Sequence, residues 1–204
     1  KKIRSKLYKL NYNKEPFFKK NIKNLYLLDK NNLNNIHFAY SICKKFKISD
    51  KKIFNSLNKF KGLKFRNQII YKKNNLLIIN DSKSTTFSST VGLLYSYSNI
   101  FWIVGGKYKK GDKLNLKRKY PKNIKAYIIG TNRKFFTNQL KHKIESRYFG
   151  SLNKAILIIK KEIKNDFNKK TILFSPSAAS FDQFKNFEER GRYFNKLVKK
   201  IFRG

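Results

Sequence analysis

Residues 63–204 predict an α/β fold, a doubly wound and mostly parallel sheet, preceded by a smaller unit over 1–62. Three observations carry this. Short apolar runs recur at Leu76–Ile79, Ile100–Val104, Ala126–Ile129 and Thr171–Phe174, each of strand length. Stretches of helical periodicity lie between them, most clearly Leu152–Ile163, and such alternation gives a parallel sheet covered on both faces. The last run passes through the small-residue turn Ser175-Pro176-Ser177-Ala178-Ala179-Ser180. Beyond it Phe184, Phe187, Phe194, Leu197, Val198 and Ile201 recur at helical spacing.

In chain order, 1–30 is rich in Lys and Asn, and Asn24–Leu28 fits a short strand. A helix is predicted over Asn32–Phe46, with Ile36, Tyr40 and Cys43 on one face. A second runs over Ser49–Phe60 with Ser49 as its cap and Ile53, Phe54 and Leu57 inside, and Gly62 stops it. The domain boundary falls at Gly62–Arg66. Gln68–Tyr71 and Leu76–Ile79 flank Lys72-Lys73-Asn74-Asn75 and predict a hairpin. A helix over Ser84–Tyr97 leads to the strand Ile100–Val104, and a weaker strand, Arg147–Phe149, follows Ala126–Ile129. Ser180 with Gln183 fits a capping box opening the last helix. No internal repeat is evident.

The chain carries 49 Lys+Arg against 11 Asp+Glu, a formal charge of +38. Such an excess ordinarily points to nucleic acid. Here the cations are nearly all Lys, scattered through the chain, and Asn, Ile, Phe and Tyr are abundant too. These are residues of A/T-rich codons, so genomic bias explains the composition, and a solvated Lys-rich surface is favoured over a nucleic-acid site. The acidic residues Asp81, Asp112, Asp182, Glu188 and Glu189 fall instead in the candidate site motifs. At 40% hydrophobic the chain can bury a core, and its single cysteine, Cys43, excludes an internal disulfide and suits a reducing, cytoplasmic setting. No run of about 18 apolar residues predicts a membrane span, and the basic start lacks the apolar region of a signal peptide. No Met occurs, even at position 1, so the initiator at least is expected to be missing.

In a doubly wound sheet, ligands bind at the carboxyl ends of the strands. Three loops fall there: Asn80-Asp81-Ser82-Lys83-Ser84-Thr85-Thr86, Gly105–Asp112, and Ser175–Ser180. Together they offer hydroxyls, lysines and helix N-termini, a surface for a small ligand with carboxylates or phosphates. His37, His142 and Cys43 cannot assemble a metal cluster, and both histidines are expected at the surface or on a helix face. Asp182, Glu188 and Glu189 are read as structural, the two Glu as partners for nearby cations such as Arg190 and Arg192. Gly130-Thr131-Asn132-Arg133-Lys134 imitates a phosphate loop but lacks its second Gly and the Ser/Thr after the Lys, so it is read as a strand-to-helix turn.

The motifs resemble those of the D-glutamate-adding branch of the Mur ligase family. The resemblance covers the C-terminal half of such enzymes, from about Asn31 to the end. Its strongest part is Ser175–Phe194, with the core Asp-Gln-Phe-Lys-Asn-Phe-Glu-Glu-Arg-Gly at 182–191. The 80–86 loop is similar to the family's Asn-Asp-Ser-Lys-Ala-Thr-Asn, and 105–112 to its Gly-Gly-x-x-Lys-Gly-x-Asp. Gly62-Leu63-Lys64-Phe65-Arg66 stands where the family has Gly-Leu-Pro-His-Arg, and Asn32 and Asn35 match the asparagines of its His-Asn-x-x-Asn. The resemblance implies a Rossmann-like C-terminal domain and an ATP-dependent ligase adding D-glutamate to UDP-N-acetylmuramoyl-L-alanine in peptidoglycan synthesis, monomeric when complete. It implies that Thr85, Lys109, Ser180 and the Phe187 backbone bind D-glutamate, that Asn35, Arg66 and Asp81 contact ATP, and that Lys83 and Phe181 line the site. The ligands of Mg²⁺ are expected mainly in the central ATPase domain, of which 1–62 would be the tail, so that the isolated chain is expected to be inactive.

Several positions depart from the pattern. Lys64 and Phe65 replace Pro and His, Gln68 replaces a Glu, Asn31 replaces the upstream His, and Lys107 and Tyr108 enlarge the lysine loop. These bear on ATP handling and hinge geometry more than on the D-glutamate pocket. Two other readings stay open: a basic nucleic-acid-binding module and an inactive ligase remnant.

Overall fold

A computed structural model describes residues 15–24, 27, 30–116, 123–164 and 166–202. It divides into two compact units, Lys1–Gly62 and Leu63–Gly204.

The first unit has three helices among its described residues: α1 (Glu15–Asn21), α2 (Lys30–Lys45) and α3 (Asp50–Lys59). They close on Phe18, Ile22, Leu33, Ile36, Tyr40, Ile53 and Phe54. Tyr40 donates to Asp50 Oδ1 at 3.0 Å, pinning α2 to the start of α3. Helix α1 was not expected, since its apolar content is the single pair Phe17-Phe18. His37 lies on α2, on its buried face against Phe18, with ring centroids 5.5 Å apart. Ser49 occupies the N-cap of α3 but makes no side-chain cap bond, contrary to expectation. The strand expected at Asn24–Leu28 lies largely outside the described residues, and Leu27 within it closes a turn onto the Asn24 carbonyl.

The second unit holds β1 (Gln68–Lys73), β2 (Leu76–Asn80), α4 (Phe87–Ser96), β3 (Ile100–Gly105), β4 (Ile124–Ile129), α5 (Arg133–Leu140), β5 (Glu145–Gly150), α6 (Leu152–Glu162), β6 (Lys170–Phe174) and α7 (Phe187–Phe202). The sheet order is β1-β2-β6-β3-β4-β5, antiparallel only at the β1–β2 hairpin. Strand alternation sorts the side chains to two faces. Ile79, Trp102, Val104, Ala126, Ile128 and Leu173 meet α4 and α5 through Phe87, Leu94, Phe136 and Leu140. Ile78, Ile103, Tyr127, Ile129, Ile172 and Phe174 meet α6 and α7 through Ile156, Ile159, Phe194 and Val198. Both faces are covered, so the central strands read as unbroken apolar runs. Each fully buried Ile or Phe contributes on the order of 2 kcal/mol. The fold is the doubly wound α/β sheet that the alternation predicts.

Three boundaries differ for local reasons. α4 begins at Phe87, not Ser84, because Thr86 takes the cap: its hydroxyl accepts from Ser89 N–H while the Ser89 side chain accepts from Thr86 N–H. β5 is a full strand over Glu145–Gly150, its signal diluted because it is an edge strand with exposed Glu145, Arg147 and Tyr148. The Ser180–Gln183 capping box does not form. Ser180 to Asn186 runs through turns, Gln183 donates its side chain to Gly150 O at 3.2 Å, and α7 opens at Phe187. Its cap is Asn186, whose Oδ1 accepts from Glu189 N–H at 2.8 Å, while Glu189 accepts from Lys185 N–H at 2.8 Å. An Asn–Glu pair three apart outcompetes the Ser–Gln pair upstream.

Candidate functional site

Strand β6 lies between β2 and β3, yet it comes last in the chain. The connection from β2 to β3 passes over it through α4, and the chain returns through α6 on the opposite face. In doubly wound folds such a reversal opens a crevice outside the carboxyl ends of the strands, here β2, β6 and β3. The loops leaving these three strands are those singled out in the sequence.

A buried hydroxyl relay ties the β6 loop to α4. Thr90 Oγ1 lies 2.7 Å from both Ser175 Oγ and Ser177 Oγ and 2.6 Å from Ser84 Oγ. Ser175 donates to Asp81 Oδ2 at 2.7 Å, and Asn67 N–H donates to Asp81 Oδ1 at 3.0 Å. Ser177 adopts φ 56°, turning the loop over the strand end. Trp102 donates its indole N–H to Ser175 O at 2.7 Å. The β3 loop is zipped to the β6 loop by reciprocal backbone bonds between Lys107 and Ala179 at 2.9 and 3.0 Å. Asp112 accepts from Phe87 N–H at 2.9 Å, so the far end of that loop rests on the start of α4. Tyr108 stacks on Phe135 with centroids 4.0 Å apart, giving the bulkier residue of the lysine loop a docking place.

Burial raises the Asp81 carboxyl from 3.8 to about 6, against the bonds from Ser175 and Asn67 and the charges of Arg66 and Arg190. Arg190 is 1% exposed. Its Nε donates to Ser82 Oγ at 3.1 Å, and Nη2 donates to Ser82 O at 2.8 Å and Ala178 O at 2.9 Å. Burial pulls its pKa down to about 10, with Asp182 and Asp81 favouring the charged form. It therefore stays a cation at neutral pH. Arg190 is thus not the surface partner of Glu188 or Glu189 that the sequence suggested; it turns inward because it lies on the apolar stripe of α7. Asp182 accepts from Thr131 N–H at 3.1 Å, and the 130–134 segment is a strand-to-helix turn between β4 and α5.

A cavity of about 690 Å³ lies at the opposite, amino edge of the sheet, lined by Asn99, Lys125, Lys143, Glu145, Arg147 and Glu162 among others. It offers mixed charge and sits away from the strand ends where such folds bind ligands. The loop crevice is the better candidate on chemistry.

No family model matches the chain. UDP-N-acetylmuramoylalanine-D-glutamate ligase of Wolbachia pipientis wMel is 36% identical over 170 residues, covering 83% of this chain and 33% of that protein. The ligase of the same name from Rickettsia felis is 35% identical over 194 residues, covering 95% of this chain and 41% of that protein. The chain is a homologue of the C-terminal part of the Mur ligases. It spans about a third to two fifths of the length of these curated relatives. Among solved structures, UDP-N-acetylmuramate-alanine ligase of Thermotoga maritima superposes with a TM-score of 0.56 at 15% identity, over 84% of this chain and 38% of that one. MurF of Acinetobacter baumannii does so at 0.58 and 16% identity, over 82% and 38%. At such identities the likeness shows the Mur ligase fold alone.

The residues that the Mur ligase resemblance singles out sit as follows. Thr85 and Lys109 are exposed on the β2 and β3 loops. Ser180 is buried on the β6 loop. Phe187 opens α7, where the first N–H groups of a helix have no partner within it, and its carbonyl accepts from Ser82 Oγ at 2.9 Å. Lys83 Nζ lies 3.9 Å over the Phe187 ring, and Phe181 is 68% exposed. Arg66 is exposed beside Asn67, Asp81 is buried beneath them, and Asn35 is exposed on α2 of the first unit. Phe65 and Gln68, two departures from the Mur ligase pattern, are bonded to each other: Phe65 N–H donates to Gln68 Oε1 at 3.1 Å. Sequence reasoning missed Asn80, Thr90 and the inward role of Arg190. Asn80 donates to Gly191 O at 2.9 Å and Asn195 Oδ1 at 2.7 Å, locking β2 to α7.

Proposed function

We propose that the chain supplies the acceptor-binding part of an ATP-dependent, amide-forming ligase that adds D-glutamate to UDP-N-acetylmuramoyl-L-alanine, in cytoplasmic peptidoglycan precursor synthesis. The observation that carries this reading is the convergence of the β2, β3 and β6 loops, each bearing a group suited to a carboxylate. ATP, with Mg²⁺, would supply the phosphoryl group that converts the alanyl carboxylate into an acyl phosphate. The neutral D-glutamate amine would attack the acyl carbon; the C–N bond forms, the C–O bond to phosphate breaks with its electrons leaving on the phosphate, and one amine proton ends on that phosphate.

The residues of this chain act on the amine donor. Lys109 would supply a cation, Thr85 and Ser180 hydroxyls, and Phe187 a helix N-terminal N–H. Holding both carboxylates this way leaves the amine facing the acyl phosphate, a gain in proximity and orientation. Lys83 and Phe181 would line the pocket. Asn35 and Arg66 would contact ATP, and Asp81 would act through the Arg66–Asn67 turn that it holds. No group of three His, Cys, Asp or Glu side chains suited to a metal occurs among the described residues. By the same reading the ligands of Mg²⁺ and the groups that hold the ATP phosphates would lie mainly in a central ATPase domain, of which residues 1–62 would be the tail. No helix among the described residues is long and apolar enough to cross a membrane.

Titration of D-glutamate into the chain, followed through backbone amide NMR shifts, tests the reading. The amides of Thr85, Lys109, Ser180 and Phe187 should move with D-glutamate and not with L-glutamate. Lys109→Ala should weaken binding roughly tenfold to hundredfold, the range of one charge-assisted hydrogen bond. Silence at all four amides refutes it.

A further inference from the structure

Arg190 is a buried charge at a position whose helical neighbours are apolar. It falls on the same helical stripe as Phe187, Phe194, Leu197 and Ile201, facing the core. Burying a guanidinium is costly, and a well-packed apolar side chain in its place is often neutral or stabilising. The cost here is not fully recovered, because Nη1 is buried without a hydrogen-bond partner among the described residues. What the side chain does achieve is geometric. Its fork reaches the β2 loop at Ser82, through both the hydroxyl and the carbonyl, and the β6 loop at the Ala178 carbonyl. Its third nitrogen abuts the β3 loop: a Cβ placed on Gly106 would lie 3.2 Å from Nη1. Ser82, so held, donates in turn to Phe187 O at the start of α7.

We infer that Arg190 is a positioning residue, a clamp that sets the three loops of the crevice relative to one another. Each loop it touches carries a residue of the proposed pocket a few positions away: Thr85 beyond Ser82, Ser180 beyond Ala178, and Lys109 beyond Gly106. A guanidinium is suited to this because its donors sit in one planar, rigid frame: Nη2 bonds both carbonyls while Nε bonds the Ser82 hydroxyl, a fixed spacing that the single, freely rotating nitrogen of a lysine does not reproduce. The assignment rests on the proposed function only for what the loops hold, not for the clamp itself.

Amide hydrogen exchange on the whole chain separates the two. In Arg190→Ala, protection at Ser82, Lys107 and Ala179 should fall about tenfold or more, while Ile103 and Ile128 in the central strands keep theirs. Free guanidinium should restore the loops by filling the space left. Arg190→Lys, which keeps the charge and less disturbs the core, should show the same loop-confined loss to a smaller degree and gain nothing from guanidinium. In both variants D-glutamate affinity should fall with loop protection. Unchanged loop protection in both variants overturns the clamp, as does an equal loss at Ile103 and Ile128 in Arg190→Lys, which would mark a merely structural residue. Loosened loops in a protein whose wild type binds no D-glutamate uphold the clamp and sink the ligase reading alone.

Discussion

Replacing Asp81 by Asn should flatten the pH dependence of stability of the second unit. Asp81 is 5% exposed, and burial raises its carboxyl from 3.8 to about 6. Below about pH 4 the group is protonated in the folded and unfolded states alike. Between there and about pH 6 the unfolded chain releases the proton while the folded protein keeps it, so stability falls as pH rises. Above about 6 the loss is complete, and the difference between 3.8 and about 6 is worth roughly 3 kcal/mol. The amide introduced by Asp81→Asn would keep the Asn67 bond through its oxygen and donate to Ser175, whose own hydrogen can turn to Thr90. The variant should therefore match wild type near pH 4 and exceed it by roughly 2–3 kcal/mol at pH 7. Urea unfolding followed by circular dichroism at several pH values measures this, and every other titrating group cancels in the difference. Parallel curves for the two proteins would refute the claim that burial dominates at Asp81, and would mean that Arg190 and Ser175 fully compensate it.

Two further substitutions probe the frame around the crevice. Thr86→Ala removes the hydroxyl that accepts from Ser89 N–H and should lower the unfolding free energy by about 1 kcal/mol, read from the urea midpoint at unchanged slope. Gly106→Ala forces a side chain at φ 140° with its Cβ 2.5 Å from Ala179 O; it should part the Lys107–Ala179 backbone pair, visible as lost amide protection there, while α6 and α7 keep theirs.

Much of the second unit is legible in the sequence because its signals are redundant. Apolar runs such as Ile100–Val104 are buried on both sides, so no amphipathic ambiguity arises, and the helices between them fix the sheet as parallel. The legible part of the candidate site is its backbone: Ser/Thr and Gly-rich loops at the ends of strands announce themselves, and the strand order brings three of them together. What the sequence conceals is direction. Asp81 reads as a ligand contact and is buried under Asn67, while Ser180 reads as a cap and caps nothing. Arg190 reads as a surface ion pair, although its place in the stripe of Phe187, Phe194 and Leu197 was a signal that a charge was turned inward. In the first unit, α1 was invisible because seven residues carry too little periodicity to register.

Trp102 is the chain's one tryptophan, fully buried in β3, edge-on to Phe87 and bonded through its indole to the carbonyl of Ser175. Excited selectively, its emission reports only from the second unit, from directly beneath the loop that follows β6. Any event that lifts that loop must break the indole bond, and the emission should shift accordingly. The protein thus carries its own optical gauge of the crevice, with no label to attach.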